Sequence, residues 1–180
     1  APSLVGSEMC IRDSYIAANT FTTTLVDKST DPNVDSGGAD PHDSKVVRMF
    51  SEIESDGYAV IRGPYLVSNN PLYLRSGEIV SFDYKVKAGR DAYDAFGYLV
   101  NSDTNEFITI LNETGASDSA ETDWETKSVN ISQSGNYKFV FASGSFDFSG
   151  GTLLGANLYL DNIAITPGPL LSVNNSVLQK

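Results

Sequence analysis

Alternating apolar and polar residues along most of the chain predict β-strands separated by turns. Strand-like runs occupy residues 21–27, 45–50, 58–62, 65–68, 78–87, 93–101, 106–111, 124–131, 137–143 and 154–166. The alternation is clearest in 78–87, where one face carries Val80, Phe82, Tyr84 and Val86 and the other carries Ser81, Asp83, Lys85 and Lys87. No helical period of apolar residues persists over three turns, so the chain is predicted to be all-β.

Turn residues between these runs favour one architecture. Ser102–Asn105 separates two runs as a hairpin turn would, and Gly63-Pro64 predicts a kink or bulge. Short strands at this spacing predict a jelly-roll-like, two-sheet antiparallel β-sandwich over residues 15–166. A barrel stays open as an alternative, as does an α+β fold with a short helix near 31–44. That segment is rich in Asp, Gly and Pro, so we interpret it as a loop.

The two ends of the chain are predicted to lie outside the sandwich. Residues 167–180 contain Pro-Gly-Pro and Asn-Asn and are interpreted as a tail or a linker. Residues 4–14 resemble translated sequencing-adapter read-through, so residues 1–14 are interpreted as an arm of artificial origin. An ordinary N-terminal arm is the alternative. Under the first interpretation the single cysteine, Cys10, has no functional significance.

The net charge of the chain limits the classes of partner that it can bind. Asp and Glu number 23 against 12 Lys and Arg, which gives a formal net charge of −11. Such a charge argues against nucleic acid or an anionic membrane as a partner. It suits Ca²⁺, which prefers oxygen ligands, although acidity can also serve solubility alone. No stretch approaches the ~20 apolar residues of a membrane helix, so no membrane insertion is expected.

Catalytic motifs are missing from the sequence. His42 is the single histidine, and neither a nucleophile elbow, a zinc-ligand spacing nor a phosphate-binding loop is present. We therefore expect a binding protein and no enzyme. A glycoside hydrolase stays open because carboxylates are abundant and such enzymes need only two of them across a cleft.

Three segments combine carboxylates with loop or strand-end positions. Asp91 and Asp94 stand where a loop enters a strand and could share one cation, or could cap the turn by accepting backbone N–H bonds. Asp147 lies between two Phe residues ahead of Gly150-Gly151, which would allow close approach of a ligand. Asp161 interrupts an apolar strand, where a carboxylate needs a partner or a metal unless it faces water.

Four blocks of sequence resemble adhesive modules of large bacterial RTX adhesins. They are DAYDAFGYLV at 91–100, ILNETG at 110–115, GNYKFVFASGSFD at 135–147 and LGANLYLDNI at 154–163. The resemblance covers about residues 45–166, and its last block is shared with many jelly-roll carbohydrate-binding modules. It implies a Ca²⁺-dependent sandwich of a secreted or cell-surface adhesin, in which some modules capture the free C-terminus of a peptide.

The resemblance implies that Asp91 and Asp94 hold the metal and that Gly150 and Gly151 supply backbone donors to the ligand, and the segments described above add the other candidates. The predicted metal ligands are Asp91, Asp94, Asp147 and Asp161, and the predicted ligand-binding residues are Tyr93, Asp94, Tyr98, Gly150 and Gly151. A bound Ca²⁺ would reverse the local charge and attract a carboxylate. The alternative is a carbohydrate-binding module in which Tyr93, Tyr98 or Trp124 stacks on sugar rings, and a purely structural sandwich also stays open. Either binder would act as a monomeric module of a longer chain, on a peptide or glycan of another cell surface.

Overall fold

Strands make up the regular structure of the chain. The computed structural model describes residues 9–12, 19–27, 45–53, 60–89, 91–117, 119–149 and 154–168. These residues form strands and no helix, which confirms the all-β prediction. The strands are β1 (Met9–Arg12), β2 (Asn19–Asp27), β3 (Lys45–Ile53), β4 (Val60–Ser68), β5 (Leu72–Leu74), β6 (Ile79–Ala88), β7 (Ala92–Asn101), β8 (Phe107–Gly115), β9 (Glu125–Asn130), β10 (Gly135–Phe146) and β11 (Leu154–Thr166).

The strands form two antiparallel sheets. Sheet A has the order β1-β4-β10-β7-β8, with β5 also paired to β10, and sheet B has the order β2-β3-β11-β6-β9. Every pairing is antiparallel. The two sheets pack face to face and confirm the predicted jelly-roll-like β-sandwich.

The inner faces of both sheets build one apolar core. In β6 the predicted inner residues Val80, Phe82, Tyr84 and Val86 are all fully buried. The ring of Phe82 meets the ring of Phe141 from sheet A edge-on, with centroids 5.2 Å apart. Each such side chain contributes about 1.5–3 kcal/mol by burial, so this layer fixes which side of each strand faces inward.

Beyond shifts of a few residues at strand ends, the observed strands differ from the predicted set at β1, β4 and β5. Residues 58–62 and 65–68 were predicted as two strands, but residues 60–68 form the single strand β4, because a register shift against β10 absorbs the kink near the cis Gly63–Pro64 bond. The short strands β1 and β5 were not predicted. The pairing of β1 with β4 does not test the origin of residues 4–14, and residues 31–44 lie outside the described ranges.

A well-ordered hairpin joins β7 to β8 and confirms the turn predicted at 102–105. The side-chain oxygen of Asn101 accepts the backbone N–H groups of Asp103 and Thr104 at 2.9 and 3.2 Å. Asn105 has a φ of 60°, a left-handed conformation that Asn tolerates better than most residues. The tip therefore fixes where Phe107, the first residue of β8, emerges from the sheet.

Candidate functional site

The outer face of sheet A carries a row of aromatic side chains, which we call the aromatic strip and define as Phe96, Tyr98 and Phe107. Phe96 and Tyr98 alternate along β7 with the core residues Ala95 and Leu99, so both rings point away from the core. Phe107 of β8 lies opposite the outward-facing Val100 and is 65% exposed. An exposed Phe in a strand is costly for solubility, which marks this face as a candidate binding surface.

The ring of Tyr98 contacts both of the other rings of the aromatic strip. Phe96 and Tyr98 have ring centroids 6.3 Å apart and planes inclined by only 11°. Tyr98 meets Phe107 edge-on at 5.5 Å with an interplanar angle of 84°. These contacts restrain the rings before any ligand arrives, which lowers the entropic cost of binding on them.

A glycine between the two β7 aromatics lets the strand lie close to the core. Gly97 faces inward, and a Cβ at this position would lie 2.9 Å from both Leu111 and the ring of Phe141. A larger residue would push β7 outward or displace Phe141. The sequence Phe-Gly-Tyr therefore places two large rings outside and none inside at this point.

Two further aromatic side chains lie across β10 on the same face. Tyr65 of β4 is in register with Ala142, and Ala142 is in register with Phe96. Tyr73 of β5 is in register with Asn136 and is 56% exposed. Two strand spacings separate β4 from β7, about 10 Å, with the small Ala142 between the rings. Tyr65 and Phe96 therefore flank Ala142, which is only 4% exposed.

Cavities adjoin the Phe107 end of the aromatic strip. One of about 200 Å³ is lined by Tyr98, Val100, Asn105 and Phe107. A second of about 460 Å³ lies on the other side of Asn105 and Phe107, where Asn101, Glu106, Ile108, Ser132, Gln133 and Tyr137 complete its lining. The larger volume falls in the range of about 300–1,000 Å³ that is common for ligand sites.

Polar side chains border the aromatic strip. Asn112 and Thr109 of β8 are exposed and lie in register with Phe96 and Tyr98. Asp94 precedes the strip on β7 and accepts a hydrogen bond from the Thr114 hydroxyl at 3.0 Å. The face therefore combines flat apolar surfaces with hydrogen-bonding groups at their edges.

The outer face of sheet B is built differently. Tyr159 of β11 points away from the core between the sheets, yet it is fully buried and clusters with Val46, Val26 and Trp124. The rings of Trp124 and Tyr159 lie 6.4 Å apart. The aromatic residues of this face are therefore packed together and leave less ring surface exposed than Phe107 does.

The predicted metal ligand Asp91 is fully buried ahead of β7. One of its oxygens accepts the backbone N–H of Phe148 at 2.9 Å and the hydroxyl of Ser149 at 3.2 Å. This carboxylate thus holds the start of the β10–β11 connection in place. The sequence left open that Asp91 accepts backbone N–H bonds, and it does so here from the β10–β11 connection, a different loop from its own.

The other predicted metal ligands lie in separate places. Asp147 follows Phe146, which pairs with Ala92, so Asp147 and Asp91 share one end of sheet A. Asp94 lies on the outer face, and Asp161 belongs to sheet B. Within the described ranges, no three His, Cys, Asp or Glu side chains are grouped so that they could hold a metal ion. The calcium prediction stays a prediction.

Asp161 nevertheless has surroundings suited to a buried charge. It is 1% exposed and lies opposite Asp83, which is 8% exposed, across the β11–β6 pairing. Asp83 accepts hydrogen bonds from the Thr126 hydroxyl and from the Asn162 amide, the latter at 2.8 Å. Asn162 follows Asp161 at a register shift and has a φ of 50°. Two facing buried carboxylates repel each other unless donors or a cation offset their charge.

The predicted ligand-binding residues divide between exposed and buried positions. Tyr98 belongs to the aromatic strip. Tyr93 is 4% exposed and lies in the core, so a role in contacting a ligand does not fit its placement. Gly150 and Gly151 lie outside the described residues.

A tyrosine joins the two sheets at their β8 and β9 edges. The hydroxyl of the fully buried Tyr84 lies 2.9 Å from carboxylate oxygens of both Glu113 and Glu125. Lys127 pairs with Glu113 at 3.0 Å and lies 5.4 Å from the Tyr84 ring centroid. Burial, reinforced by the two carboxylates, raises the pKa of Tyr84 well above its usual 10.0. Burial also raises the pKa of Tyr93.

Sequence reasoning missed Phe96, Phe107 and the tyrosines across β10. Strand alternation could have identified Phe96 as an outward-facing residue. Asp94, Phe96 and Tyr98 are spaced by two positions, and Asp94 favours the solvent side of the strand. The fold and its outward-facing strip together define a β-sandwich with aromatic side chains on the outer face of one sheet.

Comparisons with known proteins agree with this fold. No protein-family model and no curated protein sequence matches the chain. Among solved structures, a carbohydrate-binding module of the β-sandwich superfamily matches with a TM-score of 0.50 and 11% identity, over 88% of this chain and 57% of that one. The chain thus spans little more than half the length of that structure.

Two further matches have lower TM-scores. The K3 cleaved adhesin domain of Lys-gingipain from Porphyromonas gingivalis W83 has a TM-score of 0.45 and 20% identity, over 81% of this chain and 91% of that one. A family 4 carbohydrate-binding module has a TM-score of 0.42 and 17% identity, over 73% and 89%. At 11% identity the first of these matches shows a shared fold and leaves the ligand open. In the described ranges no helix is long and apolar enough to span a membrane.

Proposed function

We propose that the chain is a glycan-binding module of a secreted or cell-surface protein and that the aromatic strip is its binding surface. The observation that carries this proposal is the contact among Phe96, Tyr98 and Phe107 on a solvent-facing sheet. The β-sandwich fold shared with a carbohydrate-binding module is compatible with it.

The chemistry of the strip suits a sugar. A pyranose ring has a face of C–H groups that packs on the electron-rich face of an aromatic ring, and it has hydroxyl groups around its rim. Asn112 and Thr109, in register with Phe96 and Tyr98, can reach such a rim with donors and acceptors. Several rings in a row favour an oligosaccharide over a single sugar.

A binding role is proposed in preference to catalysis. A glycosidase needs two carboxyl groups about 5–10 Å apart across the scissile bond. The residues in register with the strip are instead amides, hydroxyls and apolar side chains, and Asp94 is engaged by Thr114.

A panel of neutral and acidic oligosaccharides tests the proposal by isothermal titration calorimetry. We expect at least one to bind the intact chain, and Tyr98→Ala to weaken that binding about 5- to 150-fold, since a stacked ring contributes roughly 1–3 kcal/mol. Phe148→Ala is the matched control, because Phe148 is 59% exposed but lies on the β10–β11 connection. Binding that survives Tyr98→Ala and is lost in Phe148→Ala would move the site to that connection. No binding by any neutral or acidic member would end the proposal.

Calcium-dependent capture of a peptide C-terminus is the second proposal. The placement of Asp91 and Asp147 at one end of sheet A supports it. Under this proposal peptides with a free carboxylate bind only with Ca²⁺, and amidated peptides do not bind. Equal binding of both peptide forms, or binding in EDTA, would contradict it.

Calcium could also act in sheet B without touching a ligand. The facing carboxylates of Asp161 and Asp83, with the Thr126 hydroxyl beside them, offer the oxygen ligands that Ca²⁺ prefers. A cation there would offset the repulsion between the two carboxylates and stabilise the fold.

A further inference from the structure

We infer that Lys138 makes the aromatic strip select glycans that carry an isolated carboxylate on an otherwise neutral chain. This inference rests on the proposed glycan-binding function and adds the class of sugar. Lys138 belongs to β10, between the core residues Tyr137 and Phe139, so its side chain points to the outer face of sheet A.

The position of Lys138 places its charge beside the strip. Lys138 is in register with Val100 of β7, and Val100 is in register with Phe107 of β8. Val100 also lines the cavity of about 200 Å³ with Tyr98 and Phe107. Directly paired residues have Cβ atoms about 4.5–5.5 Å apart, so a lysine on β10 can extend its ammonium group over this cavity.

The charge of Lys138 is not neutralised within the described part of the protein. Two other strand lysines each have a partner: Lys87 pairs with Glu121 at 3.4 Å, and Lys127 pairs with Glu113 at 3.0 Å. Lys138 forms no ion pair with the residues that the structure describes. It is also half-buried, so its stem is held against the sheet while its charge lacks a protein partner.

The surroundings of Lys138 strengthen its attraction for an anion. Its register partner is Val100, and the nearest outward residues on its own strand are Asn136 and Val140, none of them charged. The carboxylate of Asp103 lies beyond them and accepts a hydrogen bond from the Asn136 amide at 3.1 Å. A ligand seated on the neighbouring rings would exclude water, and electrostatic attraction grows as water is removed. A carboxylate attached to a sugar stacked on Tyr98 or Phe107 would therefore gain a charge-assisted hydrogen bond.

The net charge of the chain limits how many anionic groups the ligand can carry. At −11 the protein repels a densely charged polymer at long range. Screening over about 8 Å in physiological salt leaves a single local contact intact. One lysine within a negative molecule therefore fits one carboxylate on a neutral chain better than a polyuronate.

Matched pairs of oligosaccharides test the inference with the intact chain. The probes are xylotriose with and without one glucuronate branch, lactose with and without sialic acid, and cellobiose with and without an oxidised terminal carboxylate. In at least one pair we expect the acidic member to bind three- to tenfold more tightly, with the preference shrinking as salt rises. Binding of neutral members with no preference for acidic ones overturns this inference and leaves glycan binding intact. No binding by any probe overturns both.

Variants separate the role of Lys138 from a general effect of charge. Lys138→Met keeps the apolar stem and should bring the ratio of acidic to neutral affinity close to one, whereas Lys138→Arg should retain the preference. Lys85→Met is the matched control, because Lys85 is a half-buried lysine on the outer face of sheet B, opposite Tyr159. A preference unchanged in Lys138→Met, or lost equally in Lys85→Met, would contradict the assignment.

Discussion

The outer faces of the two sheets use aromatic residues in opposite ways. On sheet B, Tyr159 is fully buried and packs with Trp124, Val26 and Val46. On sheet A, Phe107 is 65% exposed, and Phe96 and Tyr98 are half-buried with their rings on the outer face. Both faces belong to strands of similar length in one sandwich, so the fold alone does not explain the difference.

This contrast separates stability from function. A buried aromatic side chain stabilises the fold because its apolar area is removed from water. An exposed aromatic side chain contributes little to the stability of the fold, but its apolar area can be removed from water when a ligand binds. We therefore expect substitutions on sheet B to change unfolding and substitutions on sheet A to change ligand affinity.

The largest expected effect is on sheet B, where the outer-face aromatic residue is buried. Tyr159→Ala should lower the free energy of unfolding by about 3–5 kcal/mol, as large-to-small changes at buried positions do. Tyr98→Ala should lower it by about 1 kcal/mol or less. Urea titrations followed by tryptophan fluorescence measure both. Equal losses in the two variants would mean that the outer faces do not differ as described.

Calcium bound at the facing carboxylates of sheet B is expected to stabilise the fold. If Ca²⁺ binds at Asp161, a concentration about 100-fold above its Kd should stabilise the chain by about 2.7 kcal/mol over the EDTA-treated state. Asp161→Asn should remove most of this gain, and Asp94→Asn on sheet A should keep it. Identical thermal melts of the unaltered chain in Ca²⁺ and in EDTA would refute calcium binding.

Tyr84, which links the β8 and β9 edges, should make the free energy of unfolding fall at alkaline pH. Because the folded chain raises the pKa of Tyr84, its contribution is complete below pH 10.0 and is lost as pH rises above that value. From pH 10 to 11 the unaltered chain should lose about 1 kcal/mol more than Tyr84→Phe does. Tyr73→Phe, which removes an exposed hydroxyl, is the control. A Tyr84→Phe variant with the same alkaline loss as the unaltered chain would contradict this assignment.

The fold was readable from the sequence because most strands have one apolar and one polar face. In β6 the alternation of Phe82 and Tyr84 with Asp83 and Lys85 allows only one side to face the core. The hairpin at 102–105 was readable for a similar reason, since Asn101 and Asn105 supply its side-chain caps and its left-handed residue.

The site was harder to predict because β7 is apolar on both faces. Tyr93 and Tyr98 read alike in sequence, but Tyr93 points into the core and Tyr98 points out. The pairing of β7 with β8 then brings Phe107 beside Tyr98, although nine positions separate them. The position of Lys138 beside the strip could not be predicted either, because it depends on the placement of β10 between β7 and the strands that carry Tyr65 and Tyr73. Such cross-strand neighbours depend on sheet order, which local patterns do not contain.

Amide chemical-shift mapping tests the central claim most directly, because it locates a bound ligand without changing any residue. The tightest-binding oligosaccharide from the panel is titrated into isotope-labelled protein. We predict that the largest shifts fall on residues 94–100 and 107–112 and around Lys138, with little change around Tyr159 and Trp124 on sheet B. Shifts concentrated on sheet B or on residues 147–149, with residues 96, 98 and 107 unchanged, would contradict the account.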